Sequence, residues 1–434
     1  MDCGGRARHE RRHRFGIWRA KAAVGPRITR ASSSPRPVRA KAVSPRKARR
    51  GSPFALPPQS IVGAPRAVSR SALTIKSGSP PHAWISHRVL PYAPRVKKKL
   101  KVLALFDAIA PTTLDQDLSA ELKTADWKTE ANVLAALATL GHETEQLVIF
   151  DDLDLLRQKL ATFAPDVLFN LADQFKNNRA FDQNIVSFLE MQGVPFTGCG
   201  STGLTLCKHK GISKKILGYH RIRVPDFVIL PRGARIARPR RLKFPILVKP
   251  LKEESSLGIS QASFVENDGQ FRERAAFIHE KYDGDAIAEE YIAGRELYVS
   301  ILGNQRLHVF PIRELVFREV PPDEPKIATY RAKWDEEYRK RWGLENRFAE
   351  GLDPALAARI EKTCKRIYRL LTIDGYARVD LRVTPAGEVY FIEANPNPML
   401  AQDEDFALSA AKSGMEYPQL IERIMRVGLK TVRD

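Results

Sequence analysis

The sequence predicts a parallel α/β domain followed by a larger α+β region, with a basic tail in front of both. Three observations predict this. From Lys101, short apolar strands alternate with amphipathic helices, which is the pattern of a parallel sheet. From Asp226 the pattern changes to strand pairs with occasional helices. Residues 1–99 show neither period, and they hold 24 Lys and Arg against two acids, Asp2 and Glu10. The whole chain has 71 basic and 50 acidic side chains, so residues 100–434 carry 47 and 48. The body is close to neutral, and any inference from charge to nucleic acid or an anionic surface applies to the tail alone.

The tail is rich in Arg, Pro, Ser and Ala, in blocks such as "RRHRF" and "SPRKARRGSP". Such segments cannot bury enough apolar surface to offset ordering entropy, so residues 1–99 read as disordered. A solvated extension, an upstream start codon, a nucleic-acid-binding arm and an organelle transit peptide all remain open for it. The 335 residues that follow exceed one usual domain, so two or three packed units are expected. No run of about 18 apolar residues predicts a membrane span. Residues 1–30 lack the apolar core of a signal peptide. Cys3, Cys199, Cys207 and Cys364 form no CxxC pair and no disulfide framework, which favours a reducing, cytoplasmic setting.

"KVLALF" from Lys101 reads as a buried strand. Asp126 is expected to cap a helix through Val133, Leu134, Leu137 and Leu140, which Gly141 ends. A strand at Glu145–Phe150, a helix at Asp152–Phe163, a strand at Asp166–Asn170 and a helix at Asp182–Gln192 follow. Further on, Asp353 and Pro354 open a helix with an apolar stripe of Leu356, Ile360, Cys364, Ile367 and Leu371, followed by Gly375. The run Gly198–Gly203 fits the dinucleotide fingerprint GxGxxG, but its place in the chain is wrong. It comes some hundred residues into the body, and the next acid, Asp226, begins a strand instead of ending one. A Gly-rich interdomain turn is the better reading.

The chemistry concentrates in "YARVDLRVTPAGEVYFIEAN", Tyr376–Asn395. If Thr384–Gly387 form the turn, Arg378, Asp380, Glu393 and Asn395 share one face of a strand pair. Asp380 and Glu393 are then diagonal neighbours, able to reach magnesium ions between them. A polar, solvated sheet face is the bland alternative. Two segments weigh against it. "FPILVKPLKEESSLGIS" puts Lys249 near a strand end, before a loop with Ser255, Ser256 and Gly258 that can aim backbone N–H groups at phosphates. "AIAEEYIAGRELYVSILG" has two apolar strands around Gly294, with Glu289, Glu290 and Glu296 at the junction, where backbone groups can read an adenine edge and a carboxylate can accept ribose hydroxyls. Its bland alternative is an ordinary hairpin.

In this order and spacing, the three segments resemble the ATP-grasp fold, and within it the D-alanine–D-alanine ligase branch of carboxylate–amine ligases. The resemblance covers about residues 100–430. It implies an N-terminal α/β substrate domain over 100–209, a central lobe over 210–288 and a C-terminal lobe with the metal site over 289–434. It further implies that Lys210 and Lys249 bind ATP phosphates, and that Ser255 and Ser256 cover them. Glu289, Glu290, Tyr291 and Ile292 would form the adenine hinge, and Glu296 would accept the ribose. Lys333 would meet the γ-phosphate and Arg378 would steady the tetrahedral intermediate. Asp380, Glu393 and Asn395 would hold two Mg²⁺ ions, with Mn²⁺ as an allowed substitute. The family's reaction phosphorylates a carboxylate to an acyl phosphate, which an amine attacks to give an amide, ADP and phosphate.

The departures fall mostly on the substrate side. "FNLADQF" stands where the family has a His-Gly turn, and "FDAIAPTTLDQDLS" where it has a Gly-rich turn with a substrate-binding glutamate. Trp334 replaces a tyrosine, Glu254 and Met399 replace glycines, and "AQDEDFALSA" lacks the Ser-Leu pair that grips the product carboxylate. The resemblance therefore implies small-molecule carboxylate and amine substrates that differ from D-alanine. Genuine D-alanine–D-alanine ligation and ATP binding without turnover are the competing functions. A homodimer is open, and nucleic acid is a partner only if the tail is functional.

Overall fold

The computed structural model describes residues 99–321 and 324–431, so the expectations for the tail lie outside the described residues. The first sheet has the parallel order β2-β1-β3, from β1 (Lys101–Asp107), β2 (Glu143–Ile149) and β3 (Val167–Asn170). Helices α1 (Lys128–Thr139) and α2 (Leu153–Phe163) make the connections, and α3 (Asp182–Gln192) follows β3. Asp152 caps α2 by accepting from the Asp154 amide at 2.7 Å. Asp126 does not cap α1: it lies in a 3₁₀ turn, and the helix starts after Trp127 with no side-chain cap.

Helices α4 (Ser201–Lys208) and α5 (Lys210–Tyr219) lead to a four-stranded antiparallel sheet of order β4-β7-β5-β6. Its strands are β4 (Phe227–Leu230), β5 (Ile246–Pro250), β6 (Phe264–Val265) and β7 (Ala286–Glu290), and α6 (Asp268–Lys281) packs Phe271, Ala275 and Ile278 onto Ile246 and Val248. The third sheet runs β11-β10-β8-β12-β13, with β9 on β8. These strands are β8 (Arg295–Leu302), β9 (His308–Val309), β10 (Arg313–Phe317), β11 (Leu344–Phe348), β12 (Tyr376–Val383) and β13 (Val389–Pro396). The short helices α7 (Tyr330–Trp334) and α8 (Glu336–Arg341) precede β11; α9 (Pro354–Leu370) precedes β12; α10 (Asp405–Lys412) and α11 (Tyr417–Leu429) close the chain.

The segment around Gly294 is not a hairpin, because β7 and β8 belong to different sheets. As β7 runs to Glu290, the change of sheet falls at residues 291–294 instead of between 288 and 289. Gly294 is required there. Its φ is +146°, and a Cβ would sit 2.1 Å from the Val383 carbonyl oxygen.

One core joins the first and third sheets. Leu103, Leu105 and Leu168 cluster with Val299, Val379 and Leu381, and with Ile360, Cys364 and Ile367 of α9. The Gly198–Gly203 turn sits at this junction. A Cβ on Gly198 would lie 2.6 Å from Asn397 Oδ1, and one on Gly203 would lie 2.8 Å from the Thr372 carbonyl. The Cys199 amide donates to Asn397 Oδ1 at 2.8 Å and the Gly200 amide to Asp374. Protein fills the space a pyrophosphate would need, so the turn is a structural joint. Cys199, Cys207 and Cys364 are free and buried. Among the described residues, no helix is long and apolar enough to cross a membrane.

Candidate active site

Strands β12 and β13 carry a cluster of ionisable side chains. Their register is Val383↔Val389, Arg382↔Tyr390 and Leu381↔Phe391, then Asp380↔Glu393 and Arg378↔Asn395. A bulge at Ile392 separates the two halves, and the turn is one residue longer than the spacing suggested. Asp380 and Glu393 are therefore directly opposite each other, not diagonal. The bulge re-aims Glu393 onto the face that Arg378, Asp380 and Asn395 share. It also leaves the Ile392 carbonyl off the ladder, and Lys214 Nζ donates to it at 2.5 Å.

Arg378 clamps Asp380 with two hydrogen bonds, from Nε at 2.8 Å and Nη2 at 2.9 Å, and its guanidinium lies over the Tyr298 ring. Asn395 donates to Asp380 Oδ2 at 3.1 Å. Glu393 differs: among the described residues it accepts no hydrogen bond, and Lys210 Nζ stands 3.8 Å away. Burial alone would push its carboxyl up, but Lys210, Lys249, Lys333 and Arg378 outweigh that and bring it down to about 2. Asp380 moves the other way, raised by burial against the pull of Arg378.

The opposing wall comes from α5 and the four-stranded sheet. Lys249 Nζ lies 3.0 Å from Glu289 Oε2, and Lys214 Nζ lies 3.4 Å from Glu289 Oε1. Burial lowers Lys214, and the nearby Glu289 recovers only part, leaving it at about 8. For Lys249, burial is outweighed by Glu289 and Glu393, which raise it. Lys210 donates to the Glu253 carbonyl. Lys214 was not singled out in the sequence, although it follows Lys210 by four residues on one helix, the spacing that puts two side chains on one face.

The serine loop and the Lys333 segment are tied together. Ser255 and Ser256 both have left-handed φ, +54° and +59°. Trp334 Nε1 donates to the Ser255 carbonyl at 3.3 Å, Ser256 Oγ to the Ala328 carbonyl at 2.8 Å, and the Tyr330 amide to the Ile259 carbonyl at 3.0 Å. Lys333 is half-buried, and its charge lowers the carboxyls of both Asp380 and Glu393. Of the residues expected to form the adenine hinge, Glu289 turns inward to the lysines, Glu290 is exposed, Ile292 is buried, and the Tyr291 hydroxyl donates to the Lys326 carbonyl at 3.2 Å. Any hinge contact by Glu289 falls to its backbone. Glu296 pairs with Arg382, a residue the sequence reading left unused.

The segments that depart from the family pattern are charged. The Asp173 amide and the Gln174 side chain donate to Asp107 at 3.0 and 2.7 Å, and Arg179 pairs with Asp173. Asp405, at the start of α10, accepts from Arg313 Nε at 3.0 Å. Met399 is 39% exposed.

Residues 207–426 match the family model described as the D-ala D-ala ligase C-terminus. The chain belongs to this family. It is 32% identical to y4sG of Sinorhizobium fredii, an uncharacterized protein, over 68% of this chain and 86% of that one. It is 28% identical to a D-alanine–D-alanine ligase of Aquifex aeolicus, over 69% of this chain and 94% of that enzyme. Among solved structures, the D-alanine–D-alanine ligase of Bacillus anthracis complexed with ATP has a TM-score of 0.59 at 22% identity, covering 76% of this chain and 98% of that one. The VanG D-Ala:D-Ser ligase of Enterococcus faecalis has a TM-score of 0.57 at 17% identity. At those identities the structural likeness establishes the fold.

Proposed function

We propose that this protein is an ATP- and Mg²⁺-dependent carboxylate–amine ligase whose substrate pair differs from two D-alanines. The observation that carries the reading is Glu393: a half-buried, charged carboxylate that accepts no hydrogen bond among the described residues, opposite Asp380 and ringed by cations. Two carboxylates and an amide oxygen are hard donors, and that set suits Mg²⁺ once phosphate oxygens complete it. Bound there, Mg²⁺ would neutralise phosphate charge, and Asp380, Glu393 and Asn395 would hold it.

The chain's own residues supply the rest. Lys210 and Lys249 hold the inner phosphates. The backbone of Ser255 and Ser256 covers them, and Lys333 meets the terminal one. Phosphoryl transfer to a carboxylate depends mainly on positioning and charge neutralisation, which these groups provide without covalent chemistry. Arg378, fixed by Asp380, places N–H donors where an oxyanion develops as the amine attacks the acyl phosphate. The ties between the serine loop and the Lys333 segment exclude water that would hydrolyse that intermediate. A cytoplasmic setting and small-molecule substrates belong to the same reading.

The test is ADP release from the purified full chain with Mg-ATP, screened over pairs of amino acids and amines. ADP that depends on a pair other than D-alanine supports the reading. D-alanine as the best substrate would make the protein a plain D-alanine–D-alanine ligase. ATP binding with no pair-dependent ADP would make it a binder without turnover.

A further inference from the structure

Arg382 has no part in that scheme, yet it lies on the same sheet face. It follows Asp380 by two residues on β12, about 7 Å along the strand. Directly across from it on β8 is Glu296. Arg382 Nη2 donates to Glu296 Oε2 at 2.5 Å and to the Lys326 carbonyl at 2.6 Å, and Nη1 donates to the Gly294 carbonyl at 3.3 Å. The guanidinium stands over the Tyr291 ring at 5.6 Å. The other oxygen of Glu296 accepts from the Tyr298 hydroxyl at 2.9 Å. Arg382 is 6% exposed. Burying a guanidinium is costly, and an apolar pair of similar volume would join two strands as well. Cohesion alone does not account for the pair.

We propose that Arg382 is a positioning residue for the nucleoside: with Tyr298 it fixes Glu296 so that its carboxylate takes both ribose hydroxyls, and it thereby sets a preference for ribonucleotides over 2′-deoxyribonucleotides. The inference rests on the reading of this cleft as an ATP site. Each carboxylate oxygen has two lone-pair sites and spends one on its protein donor, so each keeps one for a hydroxyl. A carboxylate held at both oxygens does not rotate, and its orientation is set before the nucleotide arrives, which removes an ordering cost from binding. Without the guanidinium, Glu296 is a largely buried carboxylate that has lost its directly bonded cation and keeps only the more distant charge of Lys249. It then turns to another donor, and the ribose loses its acceptor.

The experiment titrates the full chain, without acceptor substrates, with Mg-ATP, Mg-2′-deoxy-ATP and Mg-tripolyphosphate, read by calorimetry. The wild type is expected to favour ATP over 2′-deoxy-ATP by about 10- to 100-fold, the worth of one hydrogen bond to a charged group. Arg382→Met brings that ratio to within about 3-fold. Its affinity for tripolyphosphate, which has no ribose, stays at the wild-type value; a purely structural role would lower both. Arg382→Lys keeps the charge without the planar fork and gives an intermediate ratio. Should Arg382→Met not fold, Tyr298→Phe removes one of the two holds on Glu296 and lowers the ratio in the same direction. Wild-type protein that binds neither nucleotide overturns the ATP reading and this inference with it. A wild type that prefers ATP, beside a variant that keeps the full ratio, overturns the inference alone.

Discussion

Replacing Glu289 with Gln removes the negative charge between two buried ammonium groups. Its oxygens lie 3.4 Å from Lys214 Nζ and 3.0 Å from Lys249 Nζ. Glu289 is 2% exposed, and Lys214 and Lys249 are 0% and 2% exposed, so water cannot stand in for the lost partner. Removing one member of a buried pair costs about 3–5 kcal/mol. Lys214 keeps the Ile392 carbonyl and Lys249 keeps the field of Glu393, so the loss stays within that range and does not double. For a body of this size the thermal midpoint falls by about 4–7 °C at pH 7. The pH dependence carries a sign. Lys214 titrates at about 8 in the fold, pushed down by burial, against about 10.4 in an unfolded chain. Between those values the unfolded chain holds more protons, so wild-type stability rises with pH across the window. Glu289→Gln lowers Lys214 further, so its proton leaves at lower pH, and the deficit against wild type narrows as pH rises towards about 8 and levels off above it. Thermal and urea unfolding of both proteins at pH 7 and pH 9.5 measure it. A carboxylate that served only to touch a ligand would leave the midpoint unchanged. A loss under about 1 kcal/mol, or a deficit that widens towards pH 9.5, refutes the reasoning.

Glu393→Gln should lower pair-dependent ADP release by about 10³-fold or more, since it removes a metal-binding charge from the transferring phosphates. ADP release within about 10-fold of wild type would sink the metal assignment. Gly294→Ala should cost about 3 kcal/mol or more in urea unfolding, because φ of +146° and a 2.1 Å approach to the Val383 carbonyl leave no room for a Cβ. A variant as stable as wild type would show that the passage from β7 to β8 adapts. Trp334→Phe keeps the ring but loses the hydrogen bond to the Ser255 carbonyl, and should raise KM for ATP a few-fold with the thermal midpoint unchanged. An unchanged KM would mean that this tie does not hold the serine loop over the phosphates.

The sequence was most informative where local rules act. The α9 stripe, its Asp353 cap and the alternation that groups Arg378, Asp380 and Asn395 on one face each depend on a few adjacent residues. It was least informative where distant segments decide. Nothing local distinguishes Ile392 as a bulge, since "EVYFIEAN" alternates plausibly without one; the shift shows only against the register of β12. The pairing of β7 and β8 in separate sheets is equally hidden, because it depends on Val383 arriving beside Gly294 from ninety residues away.

Glu289 and Glu296 show how these limits shape the site. The family resemblance implies that Glu289 belongs to an adenine hinge and that Glu296 accepts the ribose. The fold gives each an internal cation first: Lys214 and Lys249 for Glu289, Arg382 for Glu296. Their distinction is geometric. Glu289 has both oxygens facing lysines in a closed space, and its work is to keep two cations charged where phosphates would lie. Glu296 has one oxygen on Arg382 and one on Tyr298, which leaves each a lone pair for a ligand. An acid in such a cleft is therefore assigned by counting which of its lone pairs the protein already uses. By that count Glu393, with none used, is the strongest candidate of the three for holding a metal ion, and the Glu289 and Glu393 substitutions should fail in different ways, the first in stability and the second in turnover.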